Sequence, residues 1–150
     1  MNQHSLDDSL HKKISELCTK GDALAERREF EPAFAFYREA LNLVPKPVED
    51  WEATTWILAA IGDLYLLDHK IEKALNAFED AVRCPGGLGN PFIHLRLGEC
   101  YFELNNADRA ADELARAYMG GGREFFEKED PKYLAFLKTR LKPPIGQSTL

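Results

Sequence analysis

The feature that most restricts this chain is a fixed spacing of small and large residues that occurs three times. Glycine stands at Gly21, Gly62 and Gly98, with a large residue three places on at Leu24, Tyr65 and Tyr101. Twelve places after each glycine comes an alanine, at Ala33, Ala74 and Ala110. Sixteen after comes a bulky residue, at Tyr37, Phe78 and Leu114, and nineteen after comes alanine again, at Ala40, Ala81 and Ala117. A helix breaker closes each copy at Pro45, Gly86 and Gly122. Residues three apart share a helix face, so each glycine and its large partner belong to one side of a first helix. Alanine, bulky residue and alanine at i, i+4 and i+7 form one stripe of a second helix. Small residues let the two axes approach, large ones fill the remaining volume, and the breaker ends the pair. The expectation is an all-α chain of stacked helix pairs.

This spacing resembles the tetratricopeptide repeat, a helix–turn–helix unit of about 34 residues. The register gives units of about Ile14–Pro47, Thr55–Leu88 and Pro91–Glu124, within one repeat domain over 1–150. The resemblance implies an α-solenoid, a right-handed superhelix whose first helices line a concave, protein-binding groove. Successive glycines are 41 and 36 residues apart, so there are two insertions. The first carries Pro47–Trp51 and, having no glycine after Pro47, reads as an N-terminal extension of the third helix. The second, Gly86–Asn90, reads as a turn. Lys20, Leu24, Leu114, Gly86 and Gly122 depart from the family pattern, each change keeping the size class or the helix-ending character. Seven helices are expected, near Leu6–Arg28, Pro32–Leu43, Val48–Leu67, Ile71–Arg83, Pro91–Leu104, Ala107–Met119 and Pro131–Leu141. Asp130-Pro131 is an N-cap followed by proline at the first helical position. The last helix has an apolar stripe, Tyr133, Leu134, Phe136, Leu137 and Leu141, and reads as the cap that a solenoid requires. Met1–Ser5 and Pro143–Leu150 read as mobile ends.

Composition and motifs narrow the function. Among 150 residues, 25 acidic side chains outnumber 19 basic ones, for a net charge of −6. Such a chain lacks the electrostatic footprint of nucleic-acid or anionic-membrane binding. Its longest apolar run, Trp56–Ile61, falls far short of the ~18 residues of a membrane span, and no secretory leader is visible. The cysteines, Cys18, Cys84 and Cys100, are odd in number and lack C-x-x-C spacing, which points to a reduced, cytoplasmic protein. His4, His11, His69 and His94 form no H-x-x-x-H pair, so they read as surface or groove residues and no metal is expected. Gly86–Gly89 and Gly120–Gly122 match no phosphate-binding loop and read as turns. Glu127, Glu129 and Asp130 read as a solvated connector rather than a catalytic pair. The expectation is therefore a non-enzymatic protein with no catalytic residue, cofactor or metal.

The candidate site is the face of each first helix opposite its structural stripe: Asp22; Trp56 and Asp63; Phe92, Arg96 and Glu99. Asp22, Asp63 and Glu99 each follow a registered glycine and make a ladder of carboxylates. With the apolar area of Trp56 and Phe92, this suits a protein or peptide that is basic and carries an apolar anchor. The competing reading is that the ladder is solvated and that the two aromatic residues pack on neighbouring helices. Chaperone-binding members of the family use Lys, Asn, Asn, Lys and Arg to clamp a C-terminal carboxylate. The matching positions here are Cys18, Asp22, Ala60, Phe92 and Arg96, of which Arg96 alone fits, so a chaperone partner of that type is not expected. Arg96 is expected to pair with Glu99. The alternative function is a homo-oligomer formed through the third helix around Trp51 or through the capping helix.

Overall fold

The computed structural model of the chain describes residues 6–141. The two ends expected to be mobile lie outside the described residues. Among the described residues all regular structure is helical: α1 (Asp8–Glu26), α2 (Phe30–Leu43), α3 (Glu52–Leu67), α4 (Ile71–Val82), α5 (Pro91–Glu103), α6 (Ala107–Gly121) and α7 (Pro131–Arg140). Short 3-10 turns stand at Val48–Asp50 and Arg123–Phe126. The chain divides into two compact units between Leu88 and Gly89. In the first unit α1 packs on α2, α2 on α3 and α3 on α4; in the second, α5 packs on α6 and α6 on α7.

Each helix pair closes on the notch seen in the sequence. A Cβ added at Gly21 would stand 2.7 Å from the Tyr37 ring, one at Gly62 2.6 Å from Phe78, and one at Gly98 2.5 Å from Leu114. The glycine thus admits the bulky residue sixteen places on, because no side chain separates it from the opposite helix. Ala33, Ala40, Ala74, Ala81, Ala110 and Ala117 are wholly buried, and all three bulky residues are almost fully buried.

The turn inside each pair repeats as closely as the packing does. Arg28, His69 and Asn105, each seven places after a registered glycine, take the left-handed conformation at φ 58°, 57° and 62°. The next residues, Glu29, Lys70 and Asn106, donate backbone N–H groups to the carbonyls of Leu24, Tyr65 and Tyr101 at 3.0, 2.9 and 2.9 Å. This is a Schellman helix end, in which a left-handed residue lets the chain reverse and satisfies orphan carbonyls. The starts of α1, α5, α6 and α7 are capped by Asp7, Asn90, Asn106 and Asp130, whose side chains accept backbone N–H groups. Gly122, at φ 75°, ends α6 two residues beyond the expected Met119.

The first insertion departs from expectation. It is ordered, but it does not extend α3. Val48–Asp50 forms a 3-10 turn, Trp51 is extended at φ −116° and ψ 139°, and α3 begins only at Glu52. The Thr54 hydroxyl caps the turn by donating to the Val48 carbonyl, and the Trp51 ring packs against the core of the first unit. Burial of one large ring thus overrides helix propagation through residues that could have continued the helix.

Candidate functional site

In the first unit the candidate residues lie on α1 and α3. Asp22 is exposed, and its Oδ1 accepts a 2.5 Å hydrogen bond from the Tyr37 hydroxyl. The Tyr37 ring is buried against Gly21, so its oxygen emerges where the next residue of α1 presents a carboxylate. Burial first, then the hydrogen bond and charge of Asp22, hold the Tyr37 phenol well above its ordinary range, and Asp63 adds to the effect. Trp56 is half-buried against the core and meets the His11 ring edge-on, with centroids 6.2 Å apart. Cys18 is buried, and its thiol is pushed up to about 11 by burial and by Asp22, which disfavours the reactive thiolate.

An open cavity of about 300 Å³ in the same unit is lined by Phe30, Phe34, Arg38, Tyr65, Lys70 and Lys73, among others. Its cations have local partners: Arg38 lies over Phe34, Lys73 over Tyr65, and Lys70 pairs with Asp68 at 3.0 Å. It therefore offers an incoming anion little that is not already engaged.

In the second unit the arrangement differs. Arg96 lies 4.7 Å above the centroid of the Phe92 ring. Its Nη1 donates to Glu99 Oε1 at 2.8 Å, the pairing expected from the sequence, and also to Glu129 Oε1 at 2.5 Å. Glu99 is only 5% exposed and does not share the solvation of Asp22. Glu129, read from sequence as part of a solvated connector, is instead drawn onto α5. Next to it, Glu103 accepts from Lys132 and from the Tyr133 hydroxyl, each at 2.7 Å. Phe102 packs edge-on against Tyr133 and Phe136 of α7. The face of α5 thus receives the connector and α7. Burial, reinforced by Glu129 and opposed by Arg96, pushes the Glu99 carboxyl up to about 8. Burial works the same way on Glu129, but its hydrogen bonds to Glu99 and Arg96 outweigh it and hold that carboxyl below its ordinary value.

His94 corrects the sequence reading, which placed it on the surface or in the groove. It is 2% exposed; its Nδ1 lies 2.6 Å from Glu113 Oε2 on α6, and its Nε2 accepts from the Gly89 N–H at 2.9 Å. An accepting Nε2 places the ring proton on Nδ1, facing the carboxylate. The imidazole therefore ties the glycine-rich turn, α5 and α6 together. Sequence spacing gives no sign of this, because Glu113 lies nineteen residues away on a different helix. All three cysteines are buried and none forms a disulfide. Among the described residues no group of three or more His, Cys, Asp or Glu could hold a metal ion, and no helix is long and apolar enough to cross a membrane.

Comparison with known proteins agrees with this architecture. The family model described as tetratricopeptide repeat matches residues 15–84, from within α1 to just past the end of α4. The chain is similar to the human protein DnaJ homolog subfamily C member 7, 27% identical over 115 residues. That match covers 75% of this chain but spans only 21% of the relative's length. With three glycine-notched helix pairs closed by the same left-handed turn, and with that match on the first two, this chain is similar to the tetratricopeptide repeat family.

Proposed function

We propose that the protein is a non-enzymatic interaction module that binds a basic peptide or protein segment on the α1/α3 face of its first unit. Tetratricopeptide repeats are protein-interaction repeats, which gives the class. The observation that carries the finer reading is the hydrogen bond from the Tyr37 hydroxyl that holds the exposed Asp22 carboxylate, with Asp63 on the neighbouring first helix. Asp22, oriented by the buried Tyr37, and Asp63 on the neighbouring first helix form an anionic patch in which one carboxylate is preorganised. Preorganisation lowers the entropy cost of receiving a Lys or Arg side chain. The half-buried Trp56 supplies the apolar anchor beside it. In the second unit Phe92 lies under Arg96, and Arg96 is engaged with Glu99 and Glu129, so these residues are less available to a partner.

The test is calorimetric binding of a panel of extended peptides with Lys or Arg near a Leu or Phe. Asp22→Asn with Asp63→Asn removes both charges at nearly constant volume. The doubly substituted protein should lose at least tenfold in affinity while keeping its helical content. Equal binding by both proteins would move the site elsewhere. Self-association remains the alternative reading, but its proposed contact at Trp51 is taken up by the chain's own core. Sedimentation that finds a monomer at high concentration would dispose of it.

A further inference from the structure

The second unit holds a buried group that the binding reading does not use. Glu99 Oε1 is satisfied by Arg96, but Glu99 Oε2 is buried with no donor. Glu99 Oε1 and Glu129 Oε1 both accept from the same Arg96 Nη1, at 2.8 and 2.5 Å, which brings the two side chains together. Two carboxylates cannot bond to each other, since both only accept, whereas a carboxyl and a carboxylate can. The one arginine between them balances one negative charge, not two. The other charged groups nearby are already paired: Glu103 with Lys132 and Tyr133 of α7, and Glu113 of α6 with His94 on a different part of α5. Asp130 caps α7 through the Lys132 N–H and adds further negative charge close by. From the 3-10 turn, Phe126 fills the apolar core with Leu95 and Leu137.

We propose that Glu99, Glu129 and Arg96 form a proton-operated latch, in which one shared proton holds the connector 123–130, and with it α7, against α5. With Glu99 neutral, its Oε2–H donates to Glu129, Arg96 bridges both groups, and no buried oxygen is left without a partner. Removal of the proton leaves two carboxylates facing each other on one guanidinium. The electrostatic sum then turns repulsive, and the connector, whose regular structure is one short 3-10 turn, is the part that yields. Glu99 carries the high pKa because it is the deeper of the two, and its release falls in the mildly alkaline range. Undocking would expose Phe126 and return Arg96 to solvent.

The test uses the full chain and amide hydrogen exchange, corrected for the pH dependence of intrinsic exchange. The amides of Glu127 and Glu129, which bond within the connector, should lose at least tenfold in protection between pH 6.5 and pH 9 (on the order of the proton's release range). Protection of α1 and α2 should not change. Glu99→Gln keeps a permanent donor toward Glu129 and an acceptor toward Arg96, so its connector should stay protected at pH 9. Unchanged protection in the wild-type chain, or an equal loss in Glu99→Gln, would overturn the latch. Carbon-13 titration of Glu99 in the unsubstituted protein provides a readout that needs no variant. A midpoint in the ordinary carboxylate range refutes the proposal, and an alkaline-shifted one supports it.

Discussion

At the scale of single residues, the same amino-acid type does different work according to what covers it. Asp22 and Glu99 hold equivalent places after their glycines, yet one is exposed and the other buried. Tyr37→Phe removes the hydroxyl that orders Asp22 and should cost about 0.5–1.5 kcal/mol in urea unfolding. The effect should be small because Asp22 retains water as a partner. Glu99 carries the pH dependence. Its folded-state pKa, about 8, lies above its unfolded value, so its contribution is fully present below pH ~4.5 and is lost as pH rises toward and through 8. Melting temperature should therefore fall across that window in the wild-type chain and fall less in Glu99→Gln. Glu129, shifted the other way, contributes stability that is lost only as pH falls through its depressed pKa.

The elements owe their pairing to notches and reversals rather than to helix propensity alone. Gly62→Leu would drive a branched side chain into the Phe78 ring, where even a Cβ would stand at 2.6 Å. It should destabilise the first unit by about 1–3 kcal/mol or more, read from chemical denaturation. The reversal within each pair offers the opposite experiment. His69 holds a left-handed backbone that costs a non-glycine residue about 1–2 kcal/mol. His69→Gly relieves that strain at some cost in unfolded-chain entropy, so it should stabilise the protein by up to about 1 kcal/mol. At α7, Asp130→Ala removes the cap on Lys132 N. It should cost about 0.5–2 kcal/mol and be seen as fraying of that helix by hydrogen exchange.

For the whole molecule, net charge and burial pull the functional surface in a definite direction. A chain of net charge −6 attracts basic partners at long range, and this attraction is screened over about 10 Å at 0.1 M salt. Association of a Lys-rich or Arg-rich peptide should slow several-fold between about 0.05 and 0.5 M salt, with dissociation changing less. Stopped-flow measurement at several ionic strengths checks this. An association rate indifferent to salt would argue that apolar contact at Trp56, not the aspartates, governs the encounter.

Sequence by itself determined the helix pairs, because the notch is a local matter. A glycine, a bulky residue sixteen places on and two alanines encode which faces meet, and each spacing lies within one hairpin. The cap at Asp130 was legible for the same reason, as was the pairing of Arg96 with Glu99 one turn away. The tertiary structure alone decided what happens where a segment meets something distant in the chain. Trp51 left the helix it could have extended because its ring found the core. His94 became a buried tie through Glu113, and Glu99 became a buried acid through Glu129, thirty residues further on. Whether a carboxylate is solvated, paired or protonated depends on desolvation and on partners brought near by packing, and neither quantity is written in local spacing.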